Sequence, residues 1–413
     1  MREALLSEVI QESRAGFWGT EPGSGDLDVR VVRNGDIQDN CLRWQSLPLR
    51  SVSHSEAARA SLRKDDILIT TSGDCGYTAH VQSDPAQPTI ASNFIRILRV
   101  DSARVVSRFL YHLLRSSAFR ASLGPYIRGT ALKNLSFTTA AEHIKVPLPA
   151  PDEQRRIAEI LDKAEALRAK RLDALAILDT LAQVIFIDMF GDPVANPKGW
   201  HDPKLAELVA NMQYGPRFYN EPYTADGIRI ARITDLNDAG ELAFDAMPRM
   251  RVSDHDVEQF AMRPGDLIFA RSGATVGKVA LFAASDPPCI PGAYFIRMRF
   301  KESVVPEYAK GVLAAKSIRE LVVMQSRQSA QQNFSGPSLR RLPMPLPPMT
   351  LQAQFARRVA AIGRQKQSQR RGLVGLDSLF ASLQHRAFRG DLSPCVARSS
   401  AWGPRSGESF GFR

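Results

Sequence analysis

One short passage occurs twice in this 413-residue chain. Val146–Ile157 reads VPLPAPDEQRRI, and Met344–Phe355 reads MPLPPMTLQAQF. Each passage spaces prolines two residues apart and then begins a helix-like pattern. A proline ring fixes its own φ and disfavours helical conformation in the residue before it, so both passages predict an extended elbow that leads into a helix. We predict Asp152 as the N-cap of the first helix and Thr350 as the N-cap of the second.

The repeat extends over most of the chain. Downstream of the elbows the offset between the copies stays at 198 residues, as between Gln154 and Gln352. Upstream, DDILITTSG from Asp65 aligns with GDLIFARSG from Gly265 at an offset of 200, and NFIRI from Asn93 aligns with YFIRM from Tyr294 at 201. A constant offset indicates a rigid element, whereas a drifting offset indicates loops of different length. The sequence therefore predicts two copies of one unit, each a globular region followed by a long helix.

The fold class predicted from these patterns is α+β, with an internal pseudo-two-fold repeat. Short apolar runs such as DVRVVR and FIRMRF predict strands, and VSRFLYHLLRSSAFRASL predicts helix. The glycine-containing turns TSGDCG and RSGATVG lack phosphate-loop spacing and predict tight turns that close a strand pair. The predicted segments are a globular domain at 1–150, a spacer helix at 151–190, a second globular domain at 191–348, a second spacer helix at 349–391 and a disordered tail at 392–413.

The two long segments show the apolar 3-4 spacing of coiled coils. We predict that they pair antiparallel and hold the two globular domains at opposite ends of a rod. The seam residues are Ile157, Leu161, Leu175, Leu178, Ile185, Phe355, Val359, Ile362, Leu373, Leu376, Phe380 and Leu383. Both seams become polar in the middle, at Arg168 and Arg171 and at Lys366 and Gln369. This polar middle is either a solvated stretch or a device that fixes register or docks another subunit.

The composition favours a binding protein. The formal net charge of +11 and the pI of about 9.7 attract polyanions such as DNA. The four cysteines lie far apart and form no zinc motif, which indicates reduced cysteines. The chain contains no apolar run long enough for a membrane span, no signal-peptide pattern and no HExxH, GxSxG or Walker motif. The tetrapeptide DPPC at Asp286–Cys289 lacks the aromatic residue of an adenine methyltransferase motif.

With this two-copy plan, the chain resembles the specificity (S) subunit of type I restriction-modification systems over nearly its whole length. The motifs that carry the resemblance are GDLIFARSGATVGKV (Gly265–Val279), VPLPAPDEQRRIAEILDKAE (Val146–Glu165), MFGDP (Met189–Pro193) and LPPMTLQAQFARRV (from Leu346), in this order around the repeat. One departure is Leu351 before Gln352, where the first copy keeps the common Glu153 before Gln154.

The resemblance implies a non-catalytic DNA-binding subunit that acts in the cytoplasm. Each globular domain would be a target recognition domain that reads one half of an asymmetric bipartite site in double-stranded DNA, and the helices would set the spacing. Two modification (M) subunits would dock on this chain and carry S-adenosylmethionine, and restriction (R) subunits would add ATP- and Mg-dependent cleavage. The chain itself would bind no cofactor and no metal. The alternative is a stand-alone DNA-binding regulator or a protein-binding scaffold.

Candidate DNA-binding residues are the basic and polar side chains beside the turns and elbows, because Arg, Lys, Asn, Gln, Ser and Thr supply most contacts to bases and phosphates. In the first domain they are Arg33, Thr71, Ser72, Arg128, Thr130, Lys133 and Asn134. In the second they are Tyr214, Arg217, Arg232, Arg271, Ser272, Lys278, Arg327, Gln328, Gln331 and Asn333.

Overall fold

The computed structural model describes residues 2–38, 41–218, 222–326, 333–389 and 391. The chain divides into two compact units, Met1–Ala169 with Val374–Arg413 and Lys170–Leu373. Each unit therefore contains one globular domain and a segment of each long helix. Within the described part of the chain, no helix combines the length and the apolar character that a membrane span requires. The predicted tail at 392–413 lies outside the described residues.

The first globular domain is built around two sheets. Its elements are β1 (Glu3–Leu5), α1 (Leu6–Val9), β2 (Ile10–Ala15), β3 (Leu27–Val32), β4 (Ile37–Gln38), β5 (Cys41–Leu42), β6 (Leu49–Val52), α2 (His54–Ala60), β7 (Ile67–Thr70), β8 (Thr78–His80), β9 (Thr89–Ala91), β10 (Ile95–Val100), α3 (Ser107–Leu114), α4 (Ser117–Ser122), β11 (Ile127–Arg128), β12 (Asn134–Leu135), α5 (Phe137–His143) and β13 (Lys145–Pro147). One sheet has the antiparallel order β2-β10-β7-β8. The other has the order β6-β3-β9, in which β3 and β9 are parallel.

The second globular domain repeats this architecture. It follows the first long helix, and the remaining elements are α6 (Pro151–Phe190), α7 (Leu205–Leu208), β14 (Val209–Tyr214), β15 (Ile228–Ala231), β16 (Arg249–Met250), α8 (Asp254–Phe260), β17 (Leu267–Ala270), β18 (Val279–Leu281), β19 (Cys289–Pro291), β20 (Phe295–Phe300), α9 (Pro306–Ala314), α10 (Lys316–Ser326), α11 (Gly336–Arg340) and α12 (Met349–Arg389). Its sheets have the orders β14-β20-β17-β18 and β16-β15-β19, with β15 and β19 parallel. The predicted α+β class and the internal repeat are confirmed at the level of strand order.

A buried ion pair marks the central strands of both domains. Asp66 and Asp266 are almost fully buried, and each accepts two hydrogen bonds from an arginine of the neighbouring strand. The pairs are Asp66 with Arg99, at 2.8 and 3.2 Å, and Asp266 with Arg299, at 2.7 and 3.0 Å. A buried carboxylate is tolerated because it is both paired and hydrogen-bonded. Both pairs repeat at an offset of 200 residues.

The same offset corrects the sequence alignment of the central strands. Ile95 pairs with Thr70 in β7, and Phe295 pairs with Ala270 in β17, which is again an offset of 200. The alignment of NFIRI with YFIRM at 201 is therefore wrong by one residue. The sequence alignment placed the identical residues FIR opposite each other, but strand pairing determines the register. A slip by one residue moves every side chain to the opposite face of the sheet. As a consequence, the residue equivalent to Phe94 is Tyr294.

A buried glutamine ties each elbow to its globular domain. Gln154 Oε1 accepts the backbone N–H of Val106 at 2.8 Å, and its Nε2 donates to the carbonyl oxygens of Arg104 at 3.0 Å and Pro149 at 2.9 Å. Gln352 makes the same three contacts in the second copy, with Val305, Ser303 and Pro347. Both glutamines are fully buried. The repeated Gln is therefore a clamp between the first turn of the long helix and the loop before α3 or α9.

The helix starts differ from the predicted caps. α6 begins at Pro151 and α12 begins at Met349, so Asp152 and Thr350 lie inside the first turn and the N-cap predictions are wrong. The Gln154 N–H donates to the Ala150 carbonyl at 3.0 Å, which makes Ala150 the last residue before the helix. Proline suits the first helical position because its fixed φ is helical and the N–H that it lacks would have had no intrahelical partner.

The long helices pack against each other within each unit, and the direction is antiparallel. In the first unit, Ile157 and Leu161 near the start of α6 lie in one cluster with Leu383 and Ala387 near the end of α12. In the second unit, the Phe186 ring near the end of α6 lies 5.6 Å from the Phe355 ring near the start of α12. All twelve predicted seam residues are buried or half-buried.

The polar middle of the seam is paired across the helices. Arg168 forms an ion pair with Asp377 at 2.6 Å in the first unit, and Lys366 forms one with Asp179 at 2.6 Å in the second. Both members repeat at the offset of 198, so the two pairs are copies of one contact. Arg171 also donates to Gln369 at 2.9 Å. The exposed pair of Arg168 with Asp377 contributes little stability, so the observation favours the reading in which the polar middle fixes register.

Candidate nucleic-acid interface

In the first domain, the turn after β7 lies against the hairpin of β11 and β12. The Thr71 carbonyl accepts the Leu135 N–H at 2.8 Å, and the Gly73 N–H donates to the Lys133 carbonyl at 2.8 Å. Ser72 Oγ donates to the Asn134 side chain. Gly73 has a φ of +72°, which a residue with a Cβ adopts with strain, so the glycine permits this turn.

This contact brings six of the seven residues predicted for the first domain into one patch. The hairpin tip carries Arg128, Thr130, Lys133 and Asn134, and all four side chains are exposed. Thr71 and Ser72 are half-buried beside them. The segment from 127 to 135 contains two cations and no carboxylate. The patch is therefore basic, accessible and able to form hydrogen bonds, which are the properties of surfaces that bind a DNA duplex.

The second domain has the same turn with different side chains. The Arg271 carbonyl accepts the Phe334 N–H at 2.7 Å, and Ser272 forms a bridge with Asn333. The Arg271 guanidinium lies 4.7 Å from the centre of the Tyr214 ring, and the Tyr214 hydroxyl accepts the Gly336 N–H at 2.7 Å. Stacking orients the guanidinium, which has the bidentate geometry that recognises guanine in a major groove.

Equivalent positions of the two turns thus carry different chemistry. Thr71 in the first domain corresponds to Arg271 in the second, and Ala15 corresponds to Tyr214. The backbone of the turn is shared, whereas the groups that it presents are not. Two such surfaces would read different base sequences.

Three predicted cations are paired with carboxylates, of which Asp36 and Asp235 are buried and Asp238 is exposed. Arg33 donates to Asp36 at 2.9 and 3.0 Å, and Arg232 donates to Asp235 at 2.8 and 3.1 Å. The hydrogen bonds that each guanidinium donates to its partner carboxylate raise the pKa of both guanidinium groups. Lys278 pairs with Asp238 at 2.6 Å beside a cleft of about 750 Å³ that α6 and α12 help to line. Arg33 and Arg232 therefore brace the fold, whereas Lys278 pairs with an exposed carboxylate, and a role for all three in DNA reading stays a prediction.

The remaining candidates are placed as follows. Arg217 is exposed and lines a cavity of about 650 Å³ in the second domain, together with Arg232, Tyr223 and Tyr294. Arg327, Gln328 and Gln331 lie outside the described residues.

Sequence reasoning missed one matched pair of residues at these turns. Phe94 and Tyr294 directly precede the central strands β10 and β20, and they are 47% and 59% exposed. The carbonyl of Phe94 accepts the Thr71 N–H at 2.8 Å, and that of Tyr294 accepts the Arg271 N–H at 3.0 Å. The one-residue slip in the alignment concealed this equivalence, and an alignment constrained to the offset of 200 would have revealed it.

Comparison with known proteins agrees with this geometry. Residues 31–176 match the family model of the type I restriction modification DNA specificity domain. Over 395 residues the chain is 24% identical to the specificity subunit of the type I restriction enzyme EcoKI from Escherichia coli K12, which covers 88% of this chain and 82% of that protein. The chain is similar to type I restriction-modification specificity subunits over most of its length.

The chain has further relatives of the same kind. It is 20% identical over 361 residues to the EcoBI specificity subunit of Escherichia coli, covering 80% of this chain and 74% of the relative. A chain from a structure of type I R-M system assembly and conformational transition superposes with a TM-score of 0.59 at 20% identity, over 95% of this chain and 98% of the other. The S subunit from M. genitalium superposes with a TM-score of 0.54 at 14% identity, over 94% and 96%. At these identities the structural likeness concerns the fold.

Within the described residues, one group of side chains has the spacing of metal ligands: His112, Asp162 and Glu165. His112 Nε2 lies 2.7 Å from Asp162 Oδ1, and Arg108 Nε lies 2.7 Å from the same oxygen. Arg115 pairs with Glu165. Burial lowers the pKa of His112. Because two arginines already neutralise the carboxylates, the cluster acts as an internal ion-pair network that fastens α3 to α6.

Proposed function

We propose that this chain selects the DNA sequence on which a type I restriction-modification complex acts. Each globular domain reads one half of an asymmetric bipartite site in double-stranded DNA, and the two long helices set the distance between the halves. The EcoKI, EcoBI and M. genitalium relatives reported above are specificity subunits and give no support to the alternative of a stand-alone regulator or scaffold.

The observation that carries the proposal is the pair of matched turns with unmatched side chains. A protein that read a symmetric site would need the same groups twice. Here Thr71 stands where the other domain has Arg271, on the same backbone, so an asymmetric site is expected. The helices support the spacing role, because α6 has 40 residues and is about 60 Å long at 1.5 Å per residue. One turn of DNA is about 34 Å.

The partners in this proposal supply the chemistry. Two modification subunits dock on this chain and methylate adenine with S-adenosylmethionine, and restriction subunits add ATP- and Mg-dependent cleavage. This chain contributes recognition, holds no cofactor or metal of its own, and works in the cytoplasm.

Methylation mapping tests the proposal. Deletion of this gene, with the modification gene intact, is expected to remove one bipartite adenine mark from the genome, and a plasmid copy is expected to restore it. An unchanged pattern of methylation would refute the assignment. The variant Arg271→Ala should then relax the base preference in one half of the mark. Arg128→Ala, in the other domain, should weaken the mark without changing the base preference in the half that Arg271→Ala affects.

A further inference from the structure

Within the part of the chain that the structure describes, the exposed aromatic side chains lie in the globular domains. Among the described residues, the phenylalanine, tyrosine and tryptophan side chains that are more than a third exposed are Phe17, Trp44, Phe94, Tyr214, Tyr223 and Tyr294. The large apolar side chains exposed on α6 and α12 are aliphatic or methionine, as in Ile177 and Val374. Of the aromatic set, Phe94 and Tyr294 are the pair that occupies equivalent positions of the two copies.

The equivalence rests on strand register. The residue after each ring starts a central strand, where Ile95 pairs with Thr70 and Phe295 pairs with Ala270. By continuation of that register, Phe94 lies opposite Thr71 and Tyr294 lies opposite Arg271. Both neighbours belong to the turns that form the candidate interface.

The backbone under each ring is fixed in the same way. Ile95 N–H donates to the Ser92 carbonyl at 3.0 Å, and Phe295 N–H donates to the Gly292 carbonyl at 2.9 Å, which closes a tight turn. Gly16 and Gly215 approach these turns so closely that a Cβ on either would lie 2.1 or 2.2 Å from a carbonyl oxygen. The turns are therefore held from two sides, and each ring projects from a rigid support. A ring on such a support loses little conformational entropy when it is buried against a partner.

Two copies that differ strongly in loop sequence have thus both kept a half-exposed ring at one place. The exposed part of each ring stays in contact with water, so it contributes nothing to the folding stability of the chain itself. Beside each ring stand hydrogen-bonding groups suited to base edges, Ser72 in one domain and Arg271 in the other. Apolar contact with a thymine methyl group or a base edge, next to polar readers, is a common arrangement in DNA grooves.

We propose that Phe94 and Tyr294 are base-contacting residues that determine specificity, one in each half-site, through apolar contact between the ring and the base edges. This inference rests on the function proposed above and names a contact that the function alone does not require. The Tyr294 hydroxyl adds a hydrogen-bonding group that Phe94 lacks, so the two rings contribute to the asymmetry of the site.

The experiment uses the complete methyltransferase complex and duplexes that carry the bipartite site mapped by methylation in wild-type cells. Binding is measured for the mapped site and for duplexes altered in either half. Phe94→Ala is expected to weaken binding to the mapped site roughly tenfold and to reduce discrimination in one half. Tyr294→Ala should do the same in the other half. The exposed residue Trp44, changed to Ala, serves as the control and should leave discrimination in both halves unchanged.

The outcomes separate this inference from the proposed function. If the wild-type complex prefers no bipartite site, the proposed function fails. If the wild-type complex does prefer a bipartite site, three results overturn the inference. The alanine variants keep full discrimination in both halves, or each loses discrimination equally in both halves, or Trp44→Ala loses discrimination as they do. Where an alanine variant binds too weakly to measure, Phe94→Leu and Tyr294→Leu replace it. Assembly with the partners and circular dichroism establish that each variant is folded.

Discussion

Substitution of the clamp glutamine tests how the elbow is held. In Gln154→Met the side chain keeps its length and its helix propensity but loses all three hydrogen bonds. The Val106 N–H and the carbonyl groups of Arg104 and Pro149 then lie buried without the partner that they have now. Water cannot replace the amide, because the site is fully buried.

The magnitude follows from the number of groups left unpaired. Each lost hydrogen bond of this kind costs about 1 kcal/mol net, and a buried unpaired group costs about 1–3 kcal/mol. Apolar burial of the methionine offsets about 1–2 kcal/mol. We therefore expect Gln154→Met to lower the free energy of unfolding of the first unit by about 3 kcal/mol.

Amide hydrogen exchange is the suitable assay, because it reports each unit separately. The Val106 amide should exchange about 100-fold faster in Gln154→Met than in the wild type, since 1.4 kcal/mol corresponds to a factor of ten. The matched control is Gln367→Met, an exposed position of α12, which should change stability by less than about 0.5 kcal/mol. Equal exchange rates in the two variants would refute the clamp.

Other contacts give further predictions. Gly311→Ala places a Cβ 2.4 Å from the Phe186 ring and should destabilise the second unit by about 1–3 kcal/mol in urea unfolding. Gly375→Ala on α12 meets open space and should stabilise its helix by up to about 1 kcal/mol, so equal effects of the two substitutions would contradict the packing. Burial lowers the pKa of His80 to about 4, below its ordinary 6.5, so the unfolded state binds the proton more tightly. Stability should therefore fall by about 3 kcal/mol as pH drops from 6.5 toward 4, and His80→Gln should flatten that part of the pH profile. Asp179→Ala removes one interhelical ion pair and should cost less than about 1 kcal/mol at low salt and nothing measurable in 1 M NaCl; a cost that is independent of salt would argue against an electrostatic role.

The elements predicted best from the sequence are the long helices. Their apolar spacing and the constant offset of 198 predicted α6 at 151–190, and the structure has it at Pro151–Phe190. Such periodicity is local information, because residues three and four apart share one face of a helix. The strands β7 and β17 were also readable, since a short apolar run bounded by a glycine turn indicates a buried strand.

The candidate interface was predictable in part. The turns at Ser72 and Ser272 were found because both copies place S-G after an apolar strand. The exposed rings of Phe94 and Tyr294 were not found, because the identical letters FIR match at an offset of 201, whereas strand pairing sets the offset at 200. The bracing role of Arg33 was equally hidden, since a basic residue beside a turn has the same letter whether it pairs with a carboxylate or with DNA.

By itself, the sequence determined that the protein is a duplicated unit with two long helices, because duplication and helical periodicity are properties of order along the chain. Only the tertiary structure decided which residues of the two copies correspond in the central strands, which cations are committed to internal carboxylates and what the repeated glutamine does. The strand register and the glutamine contacts join segments about 25 to 50 residues apart, and the Arg–Asp pairs, although three residues apart in sequence, depend on which side chains the fold buries. Hydrogen-bond geometry and burial determine them, and neither is encoded in local spacing.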